Sequence, residues 1–230
     1  MSDRRVPVVA FASTKGGVGK TTLAFVLATA IARWLPLTEE YRVACIDCDP
    51  NGTLDAALRK TANPDILSMP SDAETLLSTL RDAQRTASLV LIDLEGSANQ
   101  AMLYACGKAD LVLIPAQPSA YDVREARKTA DVVSQAADLV GRNIDLRVVL
   151  TRMPVLRQRV AEHSRAQFEK AGLALLPVEL VQRTAFQTMT YTGAPPFKAE
   201  PGGGAATNVE ALVDAVAIIL GLNISREVAA

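Results

Sequence analysis

Cysteine is scarce in this sequence, at three in 230 residues. A small, odd number in a chain of this length does not build a disulfide scaffold, so a reducing cytosol is the expected setting. Long apolar runs are missing too. No segment reaches the roughly 18 apolar residues that span a bilayer. Charge of one sign is not in excess: 24 Lys and Arg stand against 25 Asp and Glu, a formal net of −1. A protein that coats nucleic acid by bulk charge is thereby excluded, although a local basic face is not. There is no internal repeat and no low-complexity linker.

What is present is an ordinary globular composition, 49% hydrophobic and 21% charged, in a chain long enough to bury roughly 70–75% of its extended surface. The opening MSDRRVPVVAFASTKGG has Arg4 and Arg5 before an apolar stretch, in the manner of a signal peptide. That stretch runs only from Val6 to Ala12, contains Pro7, and leads straight into a Gly-rich loop. It reads as a first strand. Further strands are expected at Arg42–Asp47, Ser88–Asp93, Asp110–Pro115, Leu146–Thr151 and Leu173–Val178, with the first at Pro7–Ser13. Most are continuous apolar runs, as in strands covered on both faces.

Helical patterns lie between them. Leu23, Val26, Leu27, Ala30, Ile31 and Trp34 form one apolar stripe, and Val209, Leu212, Val213, Val216, Ile219 and Leu220 another. Strands alternating with helices imply an α/β fold, doubly wound, with a mainly parallel sheet and helices on both faces. A single domain over residues 1–230 is expected, with Gly193–Gly204 as a mobile surface loop inside it.

The strongest motif is STKGGVGKTT, Ser13–Thr22, which follows a strand and opens a helix. That is the context of a phosphate-binding P-loop. Gly16, Gly17 and Gly19 let main-chain N–H groups turn inward around a polyphosphate, with Val18 between them. The helix beginning near Lys20 adds its positive end. Lys20 can reach the β- and γ-phosphates, Thr21 can hold Mg²⁺, and Thr22 completes the binding segment. The pattern G-x-x-x-x-G-K-[ST] asks for glycine at position 14; here it is Thr14, followed by a second lysine, Lys15.

Acids mark two further strand ends, in ACIDCDPNG and LVLIDLEGSAN. Ligands of an open parallel sheet bind outside the carboxyl ends of its strands. Asp47, Asp49 and Asp93 therefore converge on the edge that carries the phosphate loop.

KGGVGKTT resembles the deviant Walker A motif of the ParA/MinD family of P-loop ATPases. The resemblance implies an ATP-sandwiched dimer in which Lys15 reaches the partner's phosphates. It implies ATP and Mg²⁺ as cofactors, with Lys15, Lys20 and Asp49 as catalytic residues. Asp93 matches the Walker B aspartate, and D-x-D-P matches switch I. By that match Asp49 positions or polarises the attacking water, Asp47 supports the metal's water shell, and Thr21, Asp47 and Asp93 form the metal set. The usual glutamine after D-P is Asn51 here, and Glu95-Gly96-Ser97-Ala98 replaces the small residues and proline of many relatives. Glu95 reads either as a general base or as a switch-loop carboxylate in a structural hydrogen bond. ADLVLIPAQPSAYDV resembles a segment near the nucleotide and dimer face, and VVLTRMP a strand whose following loop borders the base. The resemblance spans about residues 6–222, with its specificity in three motifs.

The family's branches differ in what they attach to. Only five residues precede the first strand, so the N-terminal helix-turn-helix domain of larger partition ATPases is not expected, and the pattern is nearest to short ParA proteins. The tail NISREVAA makes a poor membrane anchor. Cys45 and Cys48 have C-x-x-C spacing, but only Cys106 and His163 remain to complete a four-ligand centre, which favours buried thiols. Residues 141–198 hold nine basic residues against four acids. Arg157–Lys170 reads as a helix with Val160, Ala161, Ser164 and Phe168 inward and Arg157, Arg159 and Arg165 outward. This is either a solvated face or a DNA grip, and Arg152, Arg157, Arg159 and Arg183 are the candidate contacts. The function expected is that of a ParA-like ATPase: a homodimer with ATP, bound to non-specific DNA, stimulated by a ParB-like partner, cytoplasmic and nucleoid-associated. The alternatives are a MinD-like ATPase on a membrane or protein surface, and a metabolic ATP-dependent enzyme or metal-cluster carrier.

Overall fold

The computed structural model describes residues 5–36, 39–155 and 159–224. Six strands, β1 (Val8–Phe11), β2 (Val43–Cys48), β3 (Ile66–Pro70), β4 (Val90–Leu94), β5 (Leu111–Ala116) and β6 (Asp145–Leu150), form one sheet in the order β3-β2-β4-β1-β5-β6. Every pairing is parallel. The crossovers are α1 (Lys20–Trp34), α2 (Thr53–Thr61), α3 (Leu76–Thr86), α4 (Gln100–Lys108) and α5 (Ala120–Val140). After β6 come α6 (Arg159–Lys170), α7 (Thr184–Thr192), α8 (Pro196–Ala199) and α9 (Gly204–Leu220).

Alternation along each strand divides the core into two layers. Val9 and Phe11 of β1 point into the layer roofed by α1, α2, α7, α8 and α9. Val8, Ala10 and Ala12 point into the layer covered by α3, α4, α5 and α6. The doubly wound α/β architecture is thus as the strand and helix pattern implied.

Four details differ from the sequence reading. β3 was not anticipated: it is an edge strand, only half-buried, and ends in Pro70, so it lacks the apolar signal of the central strands. Leu173–Val178 is not a strand of the sheet. It touches β6 through the isolated Val148–Leu175 bridge, followed by Met153–Val181 beyond it. The α1 stripe is too narrow a description, because Ala24, Phe25, Ala28, Thr29 and Ala32 are buried as well; α9 and α2 both pack on α1 in addition to the sheet. The stretch Gly193–Gly204 is anchored rather than free. It contains α8, whose Phe197 is buried and stands 6.3 Å, centroid to centroid, from Trp34, with the Arg33 guanidinium 5.5 Å from the Phe197 ring.

Cys45 belongs to one core layer and Cys48 to the other. Two thiols on opposite faces of a strand diverge, and burial pushes Cys48 up to about 12, so neither is a ready thiolate. Among the described residues no helix is long and apolar enough to cross a membrane. Residues 225–230 of the tail lie outside the described residues.

Candidate functional site

The site lies at the carboxyl ends of β1, β2 and β4. β1 runs into the loop 12–19, and α1 starts from Gly19, whose φ of 107° is open to glycine but strained for any other residue. Gly17 is also left-handed, and nothing lies within 4 Å of a Cβ built on Gly16 or Gly17, so both positions face open space. Val18 is buried, and its carbonyl accepts the Thr151 hydroxyl at 2.9 Å, tying the loop to the end of β6.

Lys20 is only 7% exposed, and its ammonium donates to the Lys15 carbonyl at 3.2 Å. Burial lowers its pKa, while Asp93, Asp49 and Glu95 oppose the shift. This is a desolvated cation at the mouth of a main-chain cradle, a setting in which a polyphosphate is strongly favoured.

The β2–β4 register sets Asp47 opposite Asp93. Asp93 is fully buried; its Oδ2 accepts the Thr21 hydroxyl at 2.7 Å, and its Oδ1 has no hydrogen-bond partner. An orphaned carboxylate oxygen beside a threonine hydroxyl fits a hard cation that takes oxygen ligands, directly or through water. Asp47, also buried, accepts the Asp49 N–H on Oδ1 at 3.1 Å and the Asp55 N–H on Oδ2 at 2.9 Å. It therefore pins the loop after β2 and takes up a free donor in the first turn of α2, which has no side-chain cap of its own. Asp49 is half-buried and accepts both the Asn51 N–H and the Asn51 side-chain amide on one oxygen, at 2.9 and 2.8 Å. That leaves its second oxygen available at the site.

Burial pushes the Asp93 carboxyl up to about 7; the Asp47 charge adds to the rise, while the Thr21 bond and the Lys20 charge oppose it. A raised carboxyl pKa makes the ionised form costly in the fold, so the metal-free chain loses stability as pH rises from about 4 towards 7. Asp93→Asn is accordingly expected to raise the melting temperature at pH 8 by several degrees and to change it little at pH 4.5. Thermal melts without metal at the two pH values check this; equal shifts at both would refute it.

Glu95 accepts a bond from the Asn99 side chain at 3.2 Å, and Asn99 caps α4 through the Met102 N–H at 2.9 Å. The structural hydrogen bond is thus observed for Glu95. Gly96 presses on the phosphate loop: a Cβ there would stand 2.9 Å from both Cα and N of Gly16. Any larger residue would force the two loops apart.

Lys15 does not point into its own cradle. Its ammonium is 3.0 Å from Oδ2 of Asp122, a buried acid in the first turn of α5. Asp122 is held in turn by the Ser119 hydroxyl at 2.5 Å and the Gln117 N–H at 3.1 Å. Asp122 sits within the AQPSAYDV stretch, but its partner is 107 residues away.

Beside Gly19 and Thr22 opens a cavity of about 230 Å³, lined by Thr151, Arg152, Gln182, Arg183, Phe186 and Gln187 among others. No local spacing marks residues 180–187. They arrive there because main-chain bonds run from Leu180 N–H to Leu150 O, from Met153 N–H to Leu180 O and from Gln182 N–H to Met153 O. Arg152 has a φ of 51°, an uncommon conformation for a non-glycine residue.

Of the candidate DNA contacts, Arg152 is exposed at the cavity and Arg183 is half-buried there, its guanidinium over Gly204. Arg157 lies outside the described residues; Arg159 begins α6. Arg165 is not outward but paired with Glu179. Arg142 donates to the Gly107 and Ala109 carbonyls, and Arg147 pairs with Asp145 at 2.9 Å. Part of the basic surplus of residues 141–198 is thus engaged within the fold, a fact that charge counting cannot detect.

A parallel sheet whose first strand delivers a glycine loop and buried lysine onto strand-end aspartates defines a P-loop nucleotide-binding protein. The chain belongs to the CobQ/CobB/MinD/ParA nucleotide binding domain family, whose profile matches residues 9–188. It is 31% identical over 219 residues to Protein ParA of Rhizobium radiobacter, covering 92% of this chain and 96% of that protein. It is 24% identical over 215 residues to the Maintenance of carboxysome distribution protein A of Halothiobacillus neapolitanus, covering 90% and 94%. Among solved structures, a variant of Cyanothece McdA in complex with ATP superposes with a TM-score of 0.77 at 19% identity, over 97% of this chain and 99% of that one. The protein is thus a member of the MinD/ParA family, and its fold is shared with solved McdA and MinD structures.

Proposed function

We propose that this chain is a ParA-like ATPase domain that binds ATP with Mg²⁺, pairs with a second copy, and holds DNA without reading its sequence. The observation that carries the reading is Lys15. It is rooted in the phosphate loop yet turned away from the loop's own cradle onto Asp122, with its side chain 37% exposed. A lysine so placed can be exchanged onto the phosphates of a second copy without unpacking the core.

In this reading the main chain of Gly16 to Thr22 and the Lys20 ammonium hold the phosphates, and the cavity beside Gly19 takes the adenine base. Thr21, Asp93 and Asp47 would hold Mg²⁺, which when bound would supply positive charge against the phosphates. Asp49 orients the attacking water. Lys15, Lys20 and Asp49 are the catalytic residues. A ParB-like partner stimulates slow hydrolysis and so releases DNA, and repeated release over the nucleoid of a cytoplasmic protein segregates or positions a cargo. The relatives' names, ParA and carboxysome distribution protein A, support a partition or positioning role. Arg152 and the N-terminal turn of α6 supply candidate phosphate contacts.

The test is pelleting or gel shift with DNA of arbitrary sequence at fixed moderate salt, in ATP, ADP or no nucleotide. Binding with ATP alone is expected. No binding in any state, with ATP-dependent mass doubling intact by light scattering, would replace DNA with a membrane or protein surface.

A further inference from the structure

Thr14 occupies the place where the common P-loop pattern has glycine, and its hydroxyl is used. It donates to Oε2 of Glu125 at 2.8 Å, while the Thr14 N–H donates to the Thr129 hydroxyl oxygen at 3.1 Å. Thr129 is itself fastened to its helix, donating to the Glu125 carbonyl at 2.9 Å. The next residue, Lys15, reaches Asp122. Asp122, Glu125 and Thr129 stand at i, i+3 and i+7 of α5, on one face of the helix. Two consecutive loop residues are therefore held by three consecutive turns of a helix more than 100 residues away. None of these bonds involves Gly16, Gly17, Gly19 or Thr21.

The geometry points to Glu125 as a positioning residue that, through the Thr14 hydroxyl, fixes the main chain of Lys15 so that only its side chain swings between Asp122 and a second copy's nucleotide. This rests on the proposed ATP-driven pairing. With the clamp in place, Lys15 enters the pair with its backbone already ordered. Without it, ordering that backbone is charged to assembly, and fixing one residue's φ and ψ costs about tenfold in an equilibrium constant. A glycine at position 14 would offer no hydroxyl and would be freer still. The cradle itself is held separately, by the Thr151 hydroxyl on the Val18 carbonyl, so phosphate binding and Lys15 positioning are separable.

The experiment compares wild type with Thr14→Val, Thr14→Ser, Glu125→Ala and the Thr14→Val/Glu125→Ala pair. Valine keeps the branched shape and the main-chain bond to Thr129 but loses the hydroxyl; serine keeps the hydroxyl. Two readouts are taken: affinity for fluorescent mant-ADP, and the protein concentration at which mass doubles by light scattering in ATPγS and Mg²⁺. Thr14→Val and Glu125→Ala are expected to bind mant-ADP within about twofold of wild type while needing about tenfold more protein to pair. Thr14→Ser should behave as wild type. The double variant should pair no worse than Glu125→Ala alone, because the Thr14–Glu125 bond is lost in each, and the Lys128 pair that goes with Glu125 is an exposed one on the same helix. Wild-type pairing by Thr14→Val, additive losses in the double variant, or parallel loss of mant-ADP affinity would overturn the inference. Should Glu125→Ala fail to fold, the valine–serine contrast decides alone. A wild-type chain that binds mant-ADP but never doubles in mass would instead defeat the pairing itself and, with it, this use of the clamp.

Discussion

Lys20→Ala is expected to weaken nucleotide binding by about 100-fold or more, the largest single effect in this chain. Two losses act together. The ammonium can make charge-assisted bonds to phosphate, each worth about 1.5–3 kcal/mol, in a site where only 7% of the lysine is exposed. Its removal also leaves Asp93, Asp49 and Glu95, the acids that act on Lys20, with no cation to offset them against an incoming polyanion. The fold should survive, because α1 is held by Leu23, Leu27, Ile31 and the other buried residues of its length. Calorimetric titration with ATP and Mg²⁺, alongside circular dichroism, measures both quantities. Affinity within threefold of wild type would mean that the glycine cradle binds phosphate unaided and that Lys20 serves the fold instead.

Asp49→Ala is expected to have the opposite signature: ATP still bound, the pair still formed, and turnover lowered by about 10² or more, the range for a positioned group that handles the reacting water. The alanine also deletes the acceptor that holds Asn51, so it alters the turn before α2 as well as the charge. Asp49→Asn separates the two, since its amide oxygen still accepts from Asn51 while the negative charge is gone. Equal slowing in both variants assigns the effect to the carboxylate. Slowing in alanine alone assigns it to the turn, and wild-type turnover in both would remove Asp49 from the reaction. Single-turnover hydrolysis with light scattering on the same samples distinguishes these outcomes.

The strands were legible where an unbroken apolar run is buried, including the edge strand β6, whose second half is buried, and illegible at the other edge, β3. β1, β2, β4 and β5 are buried throughout, and a strand covered on both faces is written as an unbroken apolar run. β3 has one neighbour and half-buried side chains, so nothing in its composition separates it from a loop. Leu173–Val178 shows the reverse error: it carries an apolar run because Leu173 and Leu176 are buried, yet it makes only isolated bridges to the sheet. An apolar run reports burial, and hydrogen-bond pairing is a separate matter.

The same division runs through the site. By itself the sequence determined the phosphate loop, because a strand, a glycine turn and a helix start are local geometry whose residue types follow from φ, ψ and the need for N–H groups to face one point. It also determined that Asp47, Asp49 and Asp93 share an edge, since parallel strands all end on the same side of the sheet. Tertiary structure alone decided which way Lys15 points, which arginines are spent in internal pairs, and which residues wall the cavity beside Gly19. Asp122, Glu125 and residues 180–187 reach the loop only when α5 and the segment after α6 pack onto the sheet. Contacts across more than 100 residues depend on that packing, and no spacing along the chain encodes the angle at which a helix meets a loop.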